Sequence, residues 1–325
     1  MTQPSSSRAL VVVLGASGFV GSAVTTALAR CPVRLRAVAR RPSVVPAGQA
    51  ETEVRTADLT DQSQLSDVVA GADAVINLVK HDGGWRAAEE ESTSRLTNVD
   101  VMTSLVESLR GGDRDGRPPV VLFSGTISQI GVPPDHPIDG TEPDEPITAY
   151  DRQKLAAEQV LKKATADGVV RGASLRLPTI FGHGRTPESA DHGVVATMVR
   201  RALAGQELTM WHDGTVEREF IYAPDVADAF LAALDHADDL AGGHWPLGSD
   251  RSEPLGDVFR EIAERVAAHT GGPAVPVVSI DPPAHAPVTD FKSVRVDSSR
   301  FRAITGWKPR VPLGEAVRNT IAALA

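Results

Sequence analysis

Cysteine occurs once in the 325 residues, at Cys31. One thiol cannot build a disulfide framework, so a reducing compartment is expected. Basic charge is in short supply: 33 Lys and Arg face 42 Asp and Glu, a net charge of -9. That excludes the basic face of a dedicated nucleic-acid binder. Long apolar runs are missing as well. Near the N-terminus the longest, Ala9 to Leu14, is far too short to cross a bilayer. The MTQPSSSR segment before it has one basic residue and no apolar stretch of its own, so no signal peptide is expected. The expected location is the cytoplasm, with no membrane partner. The nine histidines are scattered without ligand spacing, and no metal site is expected. A nucleophile elbow and internal repeats are absent too. The acidic stretches Glu89 to Glu91 and Glu142 to Glu145 read as a solvated helix start and a solvated loop. At 42% hydrophobic the chain is too apolar for disorder.

What is present alternates. Ala9 to Leu14 is a Val-rich run, as a strand buried on both faces should be. Further strands are predicted at Val33 to Ala39, Glu53 to Ala57, Asp73 to Val79, Pro119 to Phe123 and Ala173 to Leu177. Helical patterns separate them, from the glycine turn to about Arg30, Gln62 to Ala70, Ser92 to Arg110 and Tyr150 to Ala166. Strands separated by helices mean crossovers and a parallel sheet. After Pro178 the pattern loses regularity and prolines cluster between Pro273 and Pro287, which predicts a second, smaller lobe. Ala223 to Leu234 reads as a helix returning to the first lobe.

Gly15, Gly18 and Gly21 stand in Gly-x-x-Gly-x-x-Gly spacing between the first strand and the first helix. Small residues there let the backbone approach a pyrophosphate, and the helix N-terminus offers free amides and partial positive charge. The strand-turn-helix setting is what the motif requires. A dinucleotide site follows. An acid at the end of the second strand would bind both ribose hydroxyls. Arg40 and Arg41 stand there instead, and two guanidinium groups suit a 2′-phosphate. NADP(H) is the preferred cofactor and NAD(H) the alternative. Asp58, after the third strand, is placed to meet the adenine or to serve a helix start. Residues 1–178 are therefore expected to form the dinucleotide-binding domain, joined by the returning helix at about 223–236. Residues 179–222 and 237–325 form the substrate-binding lobe.

Of the two tyrosines, Tyr150 has a lysine four residues on, Lys154, on the same helical face. An ammonium beside a phenol favours the phenolate and lowers its pKa, which makes Tyr150 a candidate general acid or base. Thr126 follows the fifth strand, at the edge where open α/β sheets bind ligands, and its hydroxyl suits a carbonyl oxygen. Ser124 and Ser128 are nearby alternatives.

Together these residues resemble a family. GASGFVG at Gly15, ADL at Ala57, VINLV before Lys80, NVDV at Asn98, FSGT at Phe123, YDRQK at Tyr150, LRLPTIFG at Leu175, REFIYAPDVADA at Arg218 and TGWKP at Thr305 are similar to the extended short-chain dehydrogenases, the NAD-dependent epimerase/dehydratase group. The resemblance runs almost end to end. Within the group it is nearest to the actinomycete TDP-4-keto-6-deoxyhexose 4-ketoreductases of antibiotic deoxysugar pathways. The implied fold is α/β, a Rossmann-type parallel sheet with helices on both faces and a smaller C-terminal substrate lobe. The implied reaction is hydride transfer from NADPH to C4 of a TDP-linked keto sugar. Tyr150 gives the proton, Thr126 holds the carbonyl oxygen, and Lys154 binds the nicotinamide ribose. The cofactor set is then Gly15, Ser17, Gly18, Phe19, Val20, Gly21, Arg40, Arg41, Asp58, Leu59, Leu78, Val79, Lys80, Tyr150 and Lys154, with Pro178 and Thr179 near the nicotinamide. The substrate set is Thr126, Ser128, Arg218 on the diphosphate, Trp211 at the nucleotide, and His81 in the loop Lys80 to Trp85. Arg218 has a plainer alternative, an ion pair with Glu217 or Glu219. A homodimer is also implied.

The departures narrow the reaction. Dehydratases of the group carry an Asp-Glu pair after the catalytic Thr; here Ile127 and Ser128 stand there, and neither can remove water across C5 and C6. Ile130 replaces the group's tyrosine before a glycine, and Gly125 its usual second serine, which weighs against 4-epimerase behaviour, the first alternative. The second alternative is a non-catalytic NADP(H)-sensing regulator. Such proteins lack an intact Tyr and Lys pair.

Overall fold

The computed structural model describes residues 8–81, 94–111, 117–186, 189–211, 213–282, 286 and 288–325. Glu89 to Glu91, and Asp82 to Trp85 of the loop after Lys80, lie outside the described residues. In chain order the first half contains β1 (Leu10–Leu14), α1 (Phe19–Leu28), β2 (Arg34–Ala39), β3 (Glu51–Thr56), α2 (Gln62–Val69), β4 (Ala74–Asn77), α3 (Val101–Leu109), β5 (Val120–Thr126), α4 (Ala149–Ala166) and β6 (Arg171–Leu177). These strands and β10 (His244–Pro246) form one parallel sheet in the order β10-β6-β5-β4-β1-β2-β3. The order reverses between β1 and β4, the switch point where such sheets bind ligands beyond their carboxyl ends.

Burial on both faces explains the unbroken apolar runs. In β1, Val11 and Val13 point into a core with Val24 and Leu28 of α1 and with Val226, Phe230 and Ala233. Leu10, Val12 and Leu14 point the other way, onto Leu65, Met102, Leu105 and Leu161. The period of two along a strand thus feeds two cores at once. Val226, Phe230 and Ala233 belong to α6 (Ala223–Asp235), the returning helix read from the sequence.

The remaining elements are β7 (Thr179–Phe181), α5 (Val194–Leu203), β8 (Leu208–Trp211), β9 (Glu217–Tyr222), α7 (Ala237–Leu240), β11 (Ser252–Pro254), α8 (Leu255–Thr270), β12 (Val277–Ile280), α9 (Ser299–Thr305) and α10 (Leu313–Leu324). Phe181, Val199, Phe220, Tyr222, Phe259, Ile262, Val317 and Ile321 make a third core among α5, α8 and α10. Two small sheets, β11-β9-β7 and β12-β8, accompany it. β7 and β11, three residues each, carry too little pattern to be read from sequence.

Two boundaries differ from the sequence reading in ways that matter. β4 ends at Asn77, two residues early, and Asn77 Oδ1 accepts the Val79 amide. Gly15 passes close by at φ +85°, where a Cβ would sit 3.1 Å from the Leu78 carbonyl carbon. β5 runs on to Thr126, three residues late, so that residue ends the strand instead of following it. The Glu142 to Glu145 loop is solvated only in part: Glu145 is exposed, but Glu142 accepts the Asp139 and Gly140 amides, and Asp144 pairs with Arg176 at 2.7 Å.

Arg176 belongs to a buried polar cluster beneath the carboxyl end of β5. It is 1% exposed and its guanidinium forks onto Glu158, itself fully buried, at 3.1 and 2.7 Å. Ser174, Lys162 and Gln129 also donate to Glu158. Burial opposes the Glu158 carboxylate, but the hydrogen bonds and charge of Arg176, joined by Lys162, outweigh it and bring the pKa to about 2. This stability is present above the unfolded carboxyl pKa and is lost as pH falls toward 2. Glu158→Ala leaves the arginine buried without its fork partner. The expected loss is about 3–5 kcal/mol in denaturant titration at neutral pH, against a smaller loss for Glu158→Gln.

Candidate active site

A cleft of about 550 Å³ opens along the carboxyl ends of the parallel strands. Each strand delivers its part. Gly15, Ser17, Gly18, Phe19, Val20 and Gly21 come from the turn after β1; Arg40 and Arg41 after β2; Asp58 and Leu59 after β3; Leu78, Val79 and Lys80 after β4; Thr126 ends β5; Pro178 follows β6. Tyr150 and Lys154 reach in from α4.

The glycine turn is shaped by close approach. A Cβ on Gly21 would lie 2.1 Å from the Gly15 carbonyl oxygen, so only glycine lets α1 start against β1. Gly18 caps α1 without a side-chain bond. The first-turn amides of a helix have no intrahelical acceptor, and here they border the cleft, which favours an anion. Arg40 and Arg41 are exposed at the β2 end. Asp58 holds its own turn, accepting the Thr60 amide at 3.0 Å and hydroxyl at 2.7 Å. Those bonds, and next to them the nearby Arg40 charge, keep its carboxyl below the usual range.

The Tyr150–Lys154 pair differs from the sequence expectation. Lys154 is 2% exposed and donates to the Ser124 carbonyl at 2.8 Å. Its Nζ lies 4.6 Å from the Phe123 ring centre and 5.9 Å from that of Tyr150. Burial, and then the positive charge of Lys80, lower its pKa to about 7. Burial, and then the Asp151 carboxylate, raise the Tyr150 phenol above its ordinary value. The expected lowering of the phenol by the lysine is therefore not what this geometry produces. A phenol held in its protonated form is a proton donor at neutral pH.

Thr126 sits 2.8 Å, hydroxyl to hydroxyl, from Ser128, and its amide donates to Gln129 Oε1 at 3.0 Å. Ser128 itself faces a second, smaller cavity of about 90 Å³, shared with Thr148 and Asp151. Thr179, Trp211, His81 and Arg218 are not among the residues that line the main cleft. Thr179 is in β7, paired with Phe220. Trp211 packs on Phe291, ring centres 6.1 Å apart. The His81 amide donates to Asn98 Oδ1 at 2.8 Å, which ties the start of its loop to the segment before α3. Arg218 is not ion-paired with Glu217 or Glu219: its terminal nitrogens donate to the carbonyls of Glu217, Lys292, Thr289 and Asp290. It clamps the 289–292 segment onto β9.

Sequence reasoning missed Thr60, Thr97, Val101 and Ile180 in the cleft wall. Thr97 lies in a π-helical turn, Leu96–Asp100, that leads into α3. Such turns gather at functional sites but have no sequence mark.

A lysine whose folded pKa is about 7 destabilises the fold most at low pH. Its penalty is full below 7, shrinks as pH rises and vanishes above the unfolded value near 10.5. Lys154→Met is expected to stabilise the protein by on the order of 2 kcal/mol at about pH 6, with no gain near pH 10.5. Thermal melts across pH check this.

Comparison with known proteins agrees with this geometry. The sequence profile of the NAD dependent epimerase/dehydratase family matches residues 11–248. A dTDP-6-deoxy-L-talose 4-dehydrogenase (NAD(P)(+)) of Kitasatospora kifunensis is 27% identical over 98% of this chain and 96% of its own. A UDP-glucose 4-epimerase of Mycolicibacterium smegmatis is 26% identical over 95% and 96%. Among solved structures, the UDP-glucose 4-epimerase of Thermotoga maritima superposes with a TM-score of 0.81 at 22% identity, covering 97% of this chain and 98% of that one. That last likeness shows the Rossmann-like fold. With a parallel sheet reversing at β1 and β4, a glycine turn at the reversal and a matching profile over most of its length, the chain belongs to the NAD dependent epimerase/dehydratase family of NAD(P)-binding enzymes.

Proposed function

We propose that the protein is an NADPH-dependent 4-ketoreductase that reduces the C4 carbonyl of a TDP-4-keto-6-deoxyhexose. One observation carries the reading: Thr126, Tyr150 and Lys154 line one cleft together with the glycine turn. Reduction of a ketone to an alcohol needs a hydride on carbon and a proton on oxygen. The nicotinamide supplies the hydride. Tyr150 donates the proton, Thr126 steadies the carbonyl oxygen, and Lys154 would meet the nicotinamide ribose. The cofactor fits the residues present. The amides of the α1 start suit its pyrophosphate, and Arg40 and Arg41 suit a 2′-phosphate. The Kitasatospora relative, whose name describes dehydrogenation at C4 of a dTDP-6-deoxy sugar, supports the substrate class, since that is this reaction run in reverse.

A nucleotide-sugar 4-epimerase is the second reading, favoured by the similarly distant UDP-glucose 4-epimerases. An epimerase must take a proton from an alcohol before returning one; Gly125 and Ile130, where the group carries a serine and a tyrosine, weigh against it.

Purified protein mixed with TDP-4-keto-6-deoxyglucose should consume one NADPH per C4 alcohol formed, followed by nicotinamide absorbance and product NMR. NADPH should outperform NADH by about tenfold in kcat/KM, and Arg40→Ala with Arg41→Ala should erase that preference. Interconversion of two 4-hydroxy sugars with no net cofactor use would support the epimerase instead.

A further inference from the structure

Thr126, Ser128 and Asp151 form a chain of two hydroxyls and a carboxyl that runs from the main cleft to the smaller cavity. Thr126 Oγ1 and Ser128 Oγ are 2.8 Å apart, and Ser128 Oγ is 2.5 Å from Asp151 Oδ1. Asp151 is 5% exposed, and its Oδ2 accepts the Thr148 hydroxyl at 2.6 Å. The end of α4 makes this arrangement. Thr148 caps the helix by accepting the Asp151 amide, which turns the carboxyl back toward Ser128.

A serine hydroxyl has one hydrogen to give. While Asp151 is ionised it can only accept, so Ser128 donates to it. The 2.8 Å contact is then a hydrogen bond only when Thr126 donates to Ser128. Thr126 Oγ1 also accepts the Ser128 amide at 3.3 Å, so in that state it has one lone pair and no hydrogen for the cleft. When Asp151 carries a proton it donates to Ser128, Ser128 donates to Thr126, and the Thr126 hydrogen is free for the cleft. A ketone oxygen carries lone pairs alone and needs that hydrogen.

We propose that Asp151 is a positioning residue which, through Ser128, sets whether Thr126 offers a donor or an acceptor to the substrate oxygen. The inference rests on the carbonyl-reducing reading of the cleft. It also gives a role to Ser128, at a position where dehydratases of the family carry part of an acid pair.

The surroundings allow both states. Burial raises the Asp151 pKa, while the Ser128 and Thr148 hydrogen bonds and the Arg152 charge lower it. The adjacent Tyr150 phenol feels the Asp151 carboxylate as an opposing charge. From the other packed segments, uncharged Ile127, Ile130, Thr289 and Val294 line the cavity beside it. A proton on Asp151 thus frees the Thr126 hydrogen for the cleft and removes the charge that raises the phenol.

The pH profile of kcat tests this in the wild type, Asp151→Asn and Ser128→Ala. Thermal melts and NADPH affinity first confirm that each variant folds. In the wild type, kcat should fall roughly tenfold as pH rises through one ionisation in the acid range. That ionisation should vanish in Asp151→Asn, whose amide donates to Ser128 at every pH, and also in Ser128→Ala, where the link is cut. A structural carboxyl would move stability and leave the profile in place. Persistence of the limb in either folded variant overturns the inference while the reductase reading stands. A wild type that transfers hydride to no nucleotide sugar overturns both.

Discussion

The Lys154 ammonium, 2% exposed and 2.8 Å from the Ser124 carbonyl, is the constraint around which the cleft is arranged. A buried amine with a pKa of about 7 is expensive to keep charged, and α4 holds it there at the cost of stability. Burial, joined by the Asp151 carboxylate, raises the phenol one turn away. Acid and amine are therefore both displaced toward neutrality, the amine poised near working pH and the phenol protonated. The placement is a product of topology. Parallel strands end on one edge, the order reverses between β1 and β4, and α4 follows β5 to bring its first turns over that edge.

Rigidity beneath the site comes from polar groups as much as apolar ones. Glu158 accepts from Arg176, Ser174, Lys162 and Gln129, and Gln129 in turn accepts the Thr126 amide. An unbroken line of hydrogen bonds thus connects the middle of α4 and β6 to the threonine backbone. Its hydroxyl answers to a different set, Ser128 and Asp151. Backbone and side chain of one residue are held by two separate networks, one fixed in charge and one able to change its proton count.

Much of the sheet was legible because burial on both faces writes long Val-rich runs, as in β1 and β5. The glycine turn was legible because steric contact at Gly21 leaves no other choice. Thr126, Tyr150 and Lys154 were legible by spacing, and the structure brings all three to one cleft. Their charge states were not, because desolvation depends on depth, and four residues of helix say nothing about depth. Arg218 shows a second limit. The sequence offered it an ion pair with Glu217 or Glu219, yet its terminal nitrogens donate to four carbonyls of β9 and the 289–292 segment. Long-range partners of that kind are invisible to local pattern. Asp144 in the acidic 142–145 stretch was misread likewise, since Arg176 lies more than 30 positions away.

The central claim is that the Tyr150 phenol lining this cleft delivers the proton to a sugar ketone. Tyr150→Phe tests it most directly, with NADPH affinity measured by fluorescence titration beside single-turnover hydride transfer to TDP-4-keto-6-deoxyglucose. The account predicts unchanged cofactor binding and a loss of about 10²–10⁴ in the transfer rate. Transfer at a rate close to that of the intact protein would contradict it.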